Sequence, residues 1–280
     1  MNILIVLLTG LFAGLHTSTW GMYKDSPHEG FGWSKYFRST IIAVLLSYFV
    51  YYITELKGDD GLSLAATIFL LWGTIYVTER VIVEVWKTFL RTEDQSKYFI
   101  PMQLHVLGKV VESKRDRYIA AVFYVGGIAL VGWLLVYLWR THQAGNLDWH
   151  PYLILLLLSV GGWVSAFGGA WKDAPIEGFE TFKFFRSPAV AYFWAWVAAN
   201  LTDNFVVITC CSLGFTIACI ETYKTFFFPS RPRGKFQGKP IDFPEMLKRR
   251  QHFIPIFVLA WIYVIVAGIM AFVGPHSGLV

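Results

Sequence analysis

The fold is decided by a stretch that occurs twice, as Lys24-Asp25-Ser26-Pro27-His28-Glu29-Gly30-Phe31 and again as Lys172-Asp173-Ala174-Pro175-Ile176-Glu177-Gly178-Phe179. The match extends to Ser39 and Ser187, and ten of the sixteen aligned residues are identical. Two unrelated segments of this length would share about one residue at ordinary amino-acid frequencies. The pattern indicates an internal duplication, and we name residues 24–39 the first motif and residues 172–187 the second motif.

A second pair of matching segments lies further along each half. Glu84-Val85-Trp86-Lys87-Thr88-Phe89 corresponds, position by position, to Glu221-Thr222-Tyr223-Lys224-Thr225-Phe226. In both segments a glutamate precedes a lysine by three positions, a spacing that predicts an ion pair on one face of a helix. Two matches in the same order predict that the whole chain is duplicated, with repeats at 1–140 and 149–280 and an external linker at 141–148. Residues that align in this way are called counterparts.

The composition is that of a membrane protein. Apolar residues make up 55% of the chain, charged residues 15%, and the mean hydropathy is +0.49. We therefore expect an all-α polytopic membrane protein. Four spans return a chain to its starting side, so two four-helix repeats are expected to be parallel copies. The apolar segments predict eight transmembrane helices, at about 1–20, 40–56, 62–78, 118–139, 151–171, 188–201, 205–220 and 253–272.

The basic residues are distributed very unevenly over this topology. Of the 24 lysines and arginines, all but Lys57 and Arg140 fall in loops on one side. The positive-inside rule places that side in the cytoplasm and both termini outside, in the plasma membrane. It also accounts for the net charge of +5 without nucleic acid, and the expected partner of the basic loops is a bilayer with anionic headgroups. The cytoplasmic loops are 21–39, 79–117, 172–187 and 221–252.

Within each motif, the order of residues predicts the start of a short helix. Asp25 or Ser26 is expected to cap it, and Pro27 is expected in its first turn. Lys35 and Arg38 would follow on one face. The simplest interpretation is an interfacial helix that re-enters the membrane with its basic residues among the headgroups.

An interfacial helix does not explain why the same charged residues occur in both motifs while the surrounding spans differ. Lysine and arginine bind phosphate, carboxylates hold Mg²⁺ or orient the cations, and glycine allows a ligand to approach closely. Catalytic residues and a metal site are not identified by any pattern. The candidate substrate-binding residues are Lys24, Asp25, Glu29, Gly30, Lys35, Arg38, Lys172, Asp173, Glu177, Gly178, Lys183 and Arg186.

We expect a transporter or flippase that moves an anionic or phosphorylated small molecule or lipid through a path between the two halves. Two alternatives stay open. One is a membrane-embedded, Mg²⁺-dependent enzyme acting on a lipid phosphate, with the motif carboxylates as ligands or acid and base groups. The other is a structural subunit of a larger membrane complex. No cofactor is expected outside the Mg²⁺-dependent alternative, and homo- or hetero-oligomers are both left open.

Overall fold

Long apolar helices make up most of the structure, a computed structural model that describes residues 1–54, 56, 62–227, 234–276 and 278–280. Three of the basic residues used for the topology, Lys57, Arg231 and Arg233, lie outside these ranges. The elements of the first half are α1 (Ile3–Glu29), α2 (Trp33–Ile53), α3 (Leu64–Val85) with a π-helical turn (Trp86–Leu90), β1 (His105–Val106), β2 (Lys109–Val110) and α4 (Lys114–Gln143).

The second half has the same order of long helices, with one interruption. Its first helix is divided at Ser159, and its last is preceded by short turns. The helices are α5 (Pro151–Leu158), α6 (Val160–Glu177), α7 (Thr181–Ala199), α8 (Phe205–Phe226), α9 (Glu245–Arg249) and α10 (Ile254–Val273), with 3₁₀ turns at Gly234–Phe236 and Arg250–Phe253. The two strands form a small antiparallel hairpin between α3 and α4.

Seven helical segments in the described part of the chain are long and apolar enough to cross a membrane. The predominantly helical, membrane-type architecture predicted from composition is therefore confirmed. α7, which contains the predicted short span at 188–201, is not among the seven. The segments are Ile3–Glu29, Trp33–Ile53, Leu64–Leu90, Lys114–Gln143, Pro151–Glu177, Phe205–Phe226 and Glu245–Val273.

Both motifs begin in the C-terminal end of a long helix. α1 continues through Pro27 to Glu29, and α6 ends in the same way at Glu177. The predicted N-terminal cap is therefore wrong. Pro27 has no N–H to donate to the carbonyl of Tyr23, but that carbonyl accepts a hydrogen bond of 2.8 Å from Nη1 of Arg250. This side chain satisfies the backbone group that the proline leaves free.

A glycine ends each of these helices. Gly30 has φ +71° and ψ 177°, and Gly178 has φ +84° and ψ 164°, a region that is essentially restricted to glycine. Their N–H groups bond back to the carbonyls of Ser26 and Ala174. The two glycines turn the chain from α1 into α2 and from α6 into α7, a structural role in addition to the ligand approach expected from sequence.

The two halves meet where α3 packs against α8. A Cβ on Gly214 would lie 2.0 Å from the carbonyl oxygen of Gly73, so the two backbones are in direct contact. Trp72 and Phe215 stack beside this contact with ring centroids 5.0 Å apart, and both are buried. Small residues allow such close approach of membrane helices. At this level α3 and α8 close the centre of the bundle.

The charged loops and the chain termini lie at different ends of the bundle. At one end, Nζ of Lys24 lies 3.9 Å from a carboxylate oxygen of Glu221, which joins the first motif to the end of α8. At the other, the amino group of Met1 bonds to the Tyr51 hydroxyl at 3.0 Å. The backbone N–H of Leu279 bonds to the last residue of α7 at 2.7 Å. Loops predicted to share one side are thus brought together.

We predict that Gly214→Ala destabilises the protein by about 1–3 kcal/mol, because the new methyl group would overlap the Gly73 carbonyl and force α3 and α8 apart. The apparent melting temperature of the purified protein in detergent should fall. Gly126→Ala on α4 is the matched control, since a Cβ there meets nothing within 4 Å. Equal melting temperatures for the two variants would contradict the close α3–α8 contact.

Candidate functional site

A cavity of about 340 Å³, the first cavity, lies among α1, α2 and α3 at the charged end of the bundle. Nine basic and six acidic side chains of the described residues line it, an excess of three positive charges. Such an excess in a confined space favours anions. The basic residues are Lys24, Lys35, Arg38, Arg80, Lys87, Arg91, Lys172, Lys224 and Lys235, and the acidic ones are Asp25, Glu29, Glu84, Glu93, Asp173 and Glu221.

A second cavity, of about 150 Å³, lies among α6, α7 and α8. Sixteen of the eighteen residues that line it have counterparts in the first half that line the first cavity. Arg186 corresponds in this way to Arg38, and Lys224 to Lys87. The two cavities are therefore built from equivalent positions in the two halves.

A third and larger space, the vestibule of about 620 Å³, adjoins both cavities. It shares Asp173 and Lys224 with each of them. The first motif contributes Lys24 to its wall, and the second motif contributes Lys183 and Arg186. Residues of both motifs thus face a common space at the charged end.

Each motif carries two carboxylates, one helical turn apart, that are bound by a lysine. Nζ of Lys235 lies 2.9 Å from Asp25 and 3.3 Å from Glu29. In the second half, Nζ of Lys183 lies 3.5 Å from Asp173 and 2.6 Å from Glu177. These carboxylates lie at the negative ends of the helix dipoles, where an uncompensated negative charge is unfavourable. The lysines supply the compensating charge.

Lys235 comes from the turn Gly234–Phe236, far from the first motif in sequence, and is 13% exposed. Burial alone would lower its pKa, but the charges and hydrogen bonds of Asp25 and Glu29 outweigh burial and raise the pKa above its ordinary value. Because the pKa of Lys235 is raised on folding, its ion pairs with Asp25 and Glu29 stabilise the folded state fully at any pH below the ordinary lysine pKa of about 10.5. This stabilisation is lost only as the pH rises through the higher, folded-state pKa.

Arg38 and Arg186 are counterparts, and each lies over the ring of an aromatic residue. The guanidinium of Arg38 lies 5.5 Å from the ring centre of Trp86, and that of Arg186 lies 6.0 Å from the ring centre of Tyr223. The two aromatic residues are themselves counterparts. Nε of each arginine is buried without a hydrogen-bond partner, and neither arginine is ion-paired to a carboxylate in the described part of the chain. Both are therefore available to bind an anion from a cavity wall.

All twelve residues singled out from sequence line at least one of the three spaces. Six of them, from Lys24 to Arg38, line the first cavity, where Lys172 and Asp173 join them. Glu177, Gly178, Lys183 and Arg186 line the vestibule. The twelve residues differ in their ion pairs. The four carboxylates form ion pairs with lysines, whereas the two arginines and Lys172 form none with described carboxylates.

Glu84 and Lys87 form the ion pair predicted from their spacing, and so do Glu221 and Lys224. The N–O distance is 3.4 Å in both pairs. Both pairs also line the cavities, which the spacing alone did not indicate.

The sequence does not indicate that Lys235, which lies in a basic loop, pairs with the first motif. Its role depends on a contact with Glu29, 206 residues away, for which the sequence contains no local signal. As for the Mg²⁺-dependent alternative, no group of three His, Cys, Asp or Glu side chains within the described ranges converges as a metal site. The geometry therefore adds no support to that alternative.

We predict that Lys235→Met destabilises the protein by about 3 kcal/mol at pH 7, because it leaves the partly buried Asp25 without an ion pair among the described residues and Glu29 with only a 3.9 Å contact to the exposed Lys35. Thermal unfolding in detergent measures the change. Lys248→Met is the control, since Lys248 is exposed on α9. Adding Asp25→Asn and Glu29→Gln should restore much of the lost stability. A Lys235→Met protein as stable as the control would contradict the compensating role.

Comparison with known proteins does not assign this chain to a family. No family model, curated protein or solved structure matches it. Its function is therefore argued from the cavities themselves, whose equivalent arginines and positive charge are the features that a ligand would meet.

Proposed function

We propose that the protein is a membrane transporter or flippase whose paired cavities bind the phosphate of an anionic substrate. The observation that carries this proposal is the equivalent placement of Arg38 and Arg186, each of which lines a cavity and has an Nε without a hydrogen-bond partner among the described residues. The excess of positive charge in the first cavity supports the same ligand class. Arginine is preferred for phosphate because its planar donors match two phosphate oxygens.

The proposal includes the duplicated architecture of two parallel four-helix repeats, 1–140 and 149–280. Matching contacts support it. A Cβ on Gly14 would lie 2.5 Å from Cα of Thr40 and 3.1 Å from the carbonyl oxygen of Ser39. A Cβ on Gly162, the counterpart of Gly14, would meet the equivalent backbone atoms of Pro188 and Ser187, at 2.9 Å and 2.8 Å. The first two helices of each repeat therefore pack in the same way.

In this proposal the cavities open to the cytoplasm of the plasma membrane and the termini face outside. The uneven distribution of lysine and arginine supports this orientation. The alternative of a structural subunit gains less from the geometry, because the charged motif residues converge on shared cavities, and a docking surface does not require that convergence.

We predict that pyrophosphate raises the melting temperature of the purified protein above that in sodium chloride of equal ionic strength. A ligand at 100 times its Kd stabilises the folded state by about 2.7 kcal/mol. The double variant Arg38→Gln/Arg186→Gln should lose this stabilisation. Arg140→Gln is the matched control, because Arg140 lies at the C-terminal end of α4, far along the helix from the charged loops.

Two results would count against a phosphate site. One is a wild-type protein that responds equally to pyrophosphate and to sodium chloride. The other is a double variant that keeps the full response, since binding would then not depend on the two arginines.

A separate prediction concerns movement of the substrate. In liposomes containing the full chain, phosphatidic acid with a fluorescent acyl chain should exchange between leaflets faster than in protein-free liposomes. Quenching of the outer leaflet by dithionite measures the rate. The same liposomes loaded with radioactive glycerol 3-phosphate test efflux of a soluble substrate. A protein that binds pyrophosphate but accelerates neither process would contradict transport and leave a binding function.

A further inference from the structure

The second cavity differs from the first in its deeper part. It extends from Asp173 to Ser165 along α6 and from Lys224 to Thr216 along α8. Eight helical residues correspond to about 12 Å, so the cavity reaches well below the charged end. Its deep wall includes Ala166, Ala170 and Ile220, and Ile217 stands at the position of Arg80 in the first half. The second cavity is therefore charged at its mouth and, apart from the hydroxyl groups of Ser165 and Thr216, apolar at depth.

The helix that borders this cavity also has an uncovered face. Val164, Phe167 and Trp171 on α6 are 58%, 62% and 62% exposed. Their counterparts on α1 are His16, Thr19 and Tyr23, which are all buried. The same face is thus covered in the first half and open in the second.

The difference arises from the last helix of each half. α10 packs along α1 and places the ring of Phe257 against His16, with centroids 4.4 Å apart. α4 packs on α8 but makes no comparable contact with α6.

The uncovered face is continuous with the second cavity. Phe167 on this face contacts Phe184 with ring centroids 5.2 Å apart, and Phe184 lines the cavity. Gly169 also lines the cavity, and a Cβ there would meet no other atom within 4 Å. A ligand whose charged group binds at the mouth of the cavity thus has an open, apolar exit beside α6 for a hydrocarbon chain.

We propose that the substrate is a lipid phosphate, with its phosphate at Arg186 in the second cavity and its hydrocarbon chain along the uncovered face of α6. The inference rests on the proposed function, because it places the phosphate at the same arginine. It adds the substrate class and the half of the protein that holds it. The charge at the mouth and the apolar depth match the two parts of such a molecule.

A photocrosslinking experiment with the full chain in liposomes tests the proposal. The probe is phosphatidic acid that carries a diazirine in the middle of one acyl chain, and phosphatidylcholine with the same labelled chain is the headgroup control. Adducts from the phosphatidic acid should concentrate on residues 160–171, and the phosphatidylcholine should label the exposed helix faces evenly. Arg186→Gln should remove the enrichment.

Two further variants separate binding of the hydrocarbon chain from binding of the phosphate. Val164→Gln/Phe167→Gln makes the uncovered face of α6 polar without changing a residue that lines a cavity, and it should reduce the enrichment at least fivefold while the response to pyrophosphate persists. Val122→Gln/Phe123→Gln on the exposed face of α4 is the matched control and should change neither. The melting temperature of each variant without ligand reports whether it folds.

The outcomes distinguish the two proposals. If pyrophosphate binds through Arg38 and Arg186 but phosphatidic acid labels all exposed helices evenly, the substrate is a soluble phosphate and the lipid inference is overturned. If neither pyrophosphate nor phosphatidic acid depends on the arginines, the proposed function fails as well. Enrichment that survives Arg186→Gln would also overturn the assignment of the phosphate position.

Discussion

The charged end of the protein is arranged around two pairs of carboxylates at the C-terminal ends of α1 and α6. A helix C-terminus carries partial negative charge, so Asp25 and Glu29 need a compensating cation. Lys235 supplies it from a segment that folds back over α1, and Lys183 does the same for the second pair. Once the lysines are engaged in this way, Arg38 and Arg186 are left facing the cavities. Among the six motif cations, Arg38, Lys172 and Arg186 therefore remain without a described carboxylate partner.

What the sequence predicted correctly depends on local spacing or on repetition. The Glu84–Lys87 pair needs only a helix to bring the residues together, and the repeated motifs identified residues that line the cavities. What it missed depends on contacts between distant segments. Pro27 was expected near a helix start, because a proline inside a helix leaves a carbonyl unsatisfied. Arg250, from the turn before α10, satisfies that carbonyl, so no local pattern predicts that α1 continues.

The two halves differ in charge at the positions of Glu79 and Arg80, where the second half has Thr216 and Ile217. Glu79 is 1% exposed and lies 3.3 Å from Nε of Arg80, and neither of its carboxylate oxygens accepts a hydrogen bond from the part of the chain that the structure describes. A buried pair with incomplete hydrogen bonding is a poor source of stability. The Glu79–Arg80 pair matters more for the charge of the first cavity than for stability. Arg80 adds a positive charge to the wall of the first cavity, and the counterpart Ile217 adds an apolar side chain to the wall of the second. The two cavities are therefore lined by counterpart positions but differ in chemistry.

Under the proposed transport function, the close contact between α3 and α8 limits the routes open to a substrate. A path between these two helices would have to pass the point where the backbones of Gly73 and Gly214 are in contact. Opening it would separate the two most extensively packed helices of the interface between the halves, with loss of contacts such as the Trp72–Phe215 stack. α6 contacts α8 less extensively than α1 contacts α3, and its outer face is uncovered. In the proposed transport, movement of a headgroup between α6 and α8 would therefore break fewer packed contacts than movement between α3 and α8.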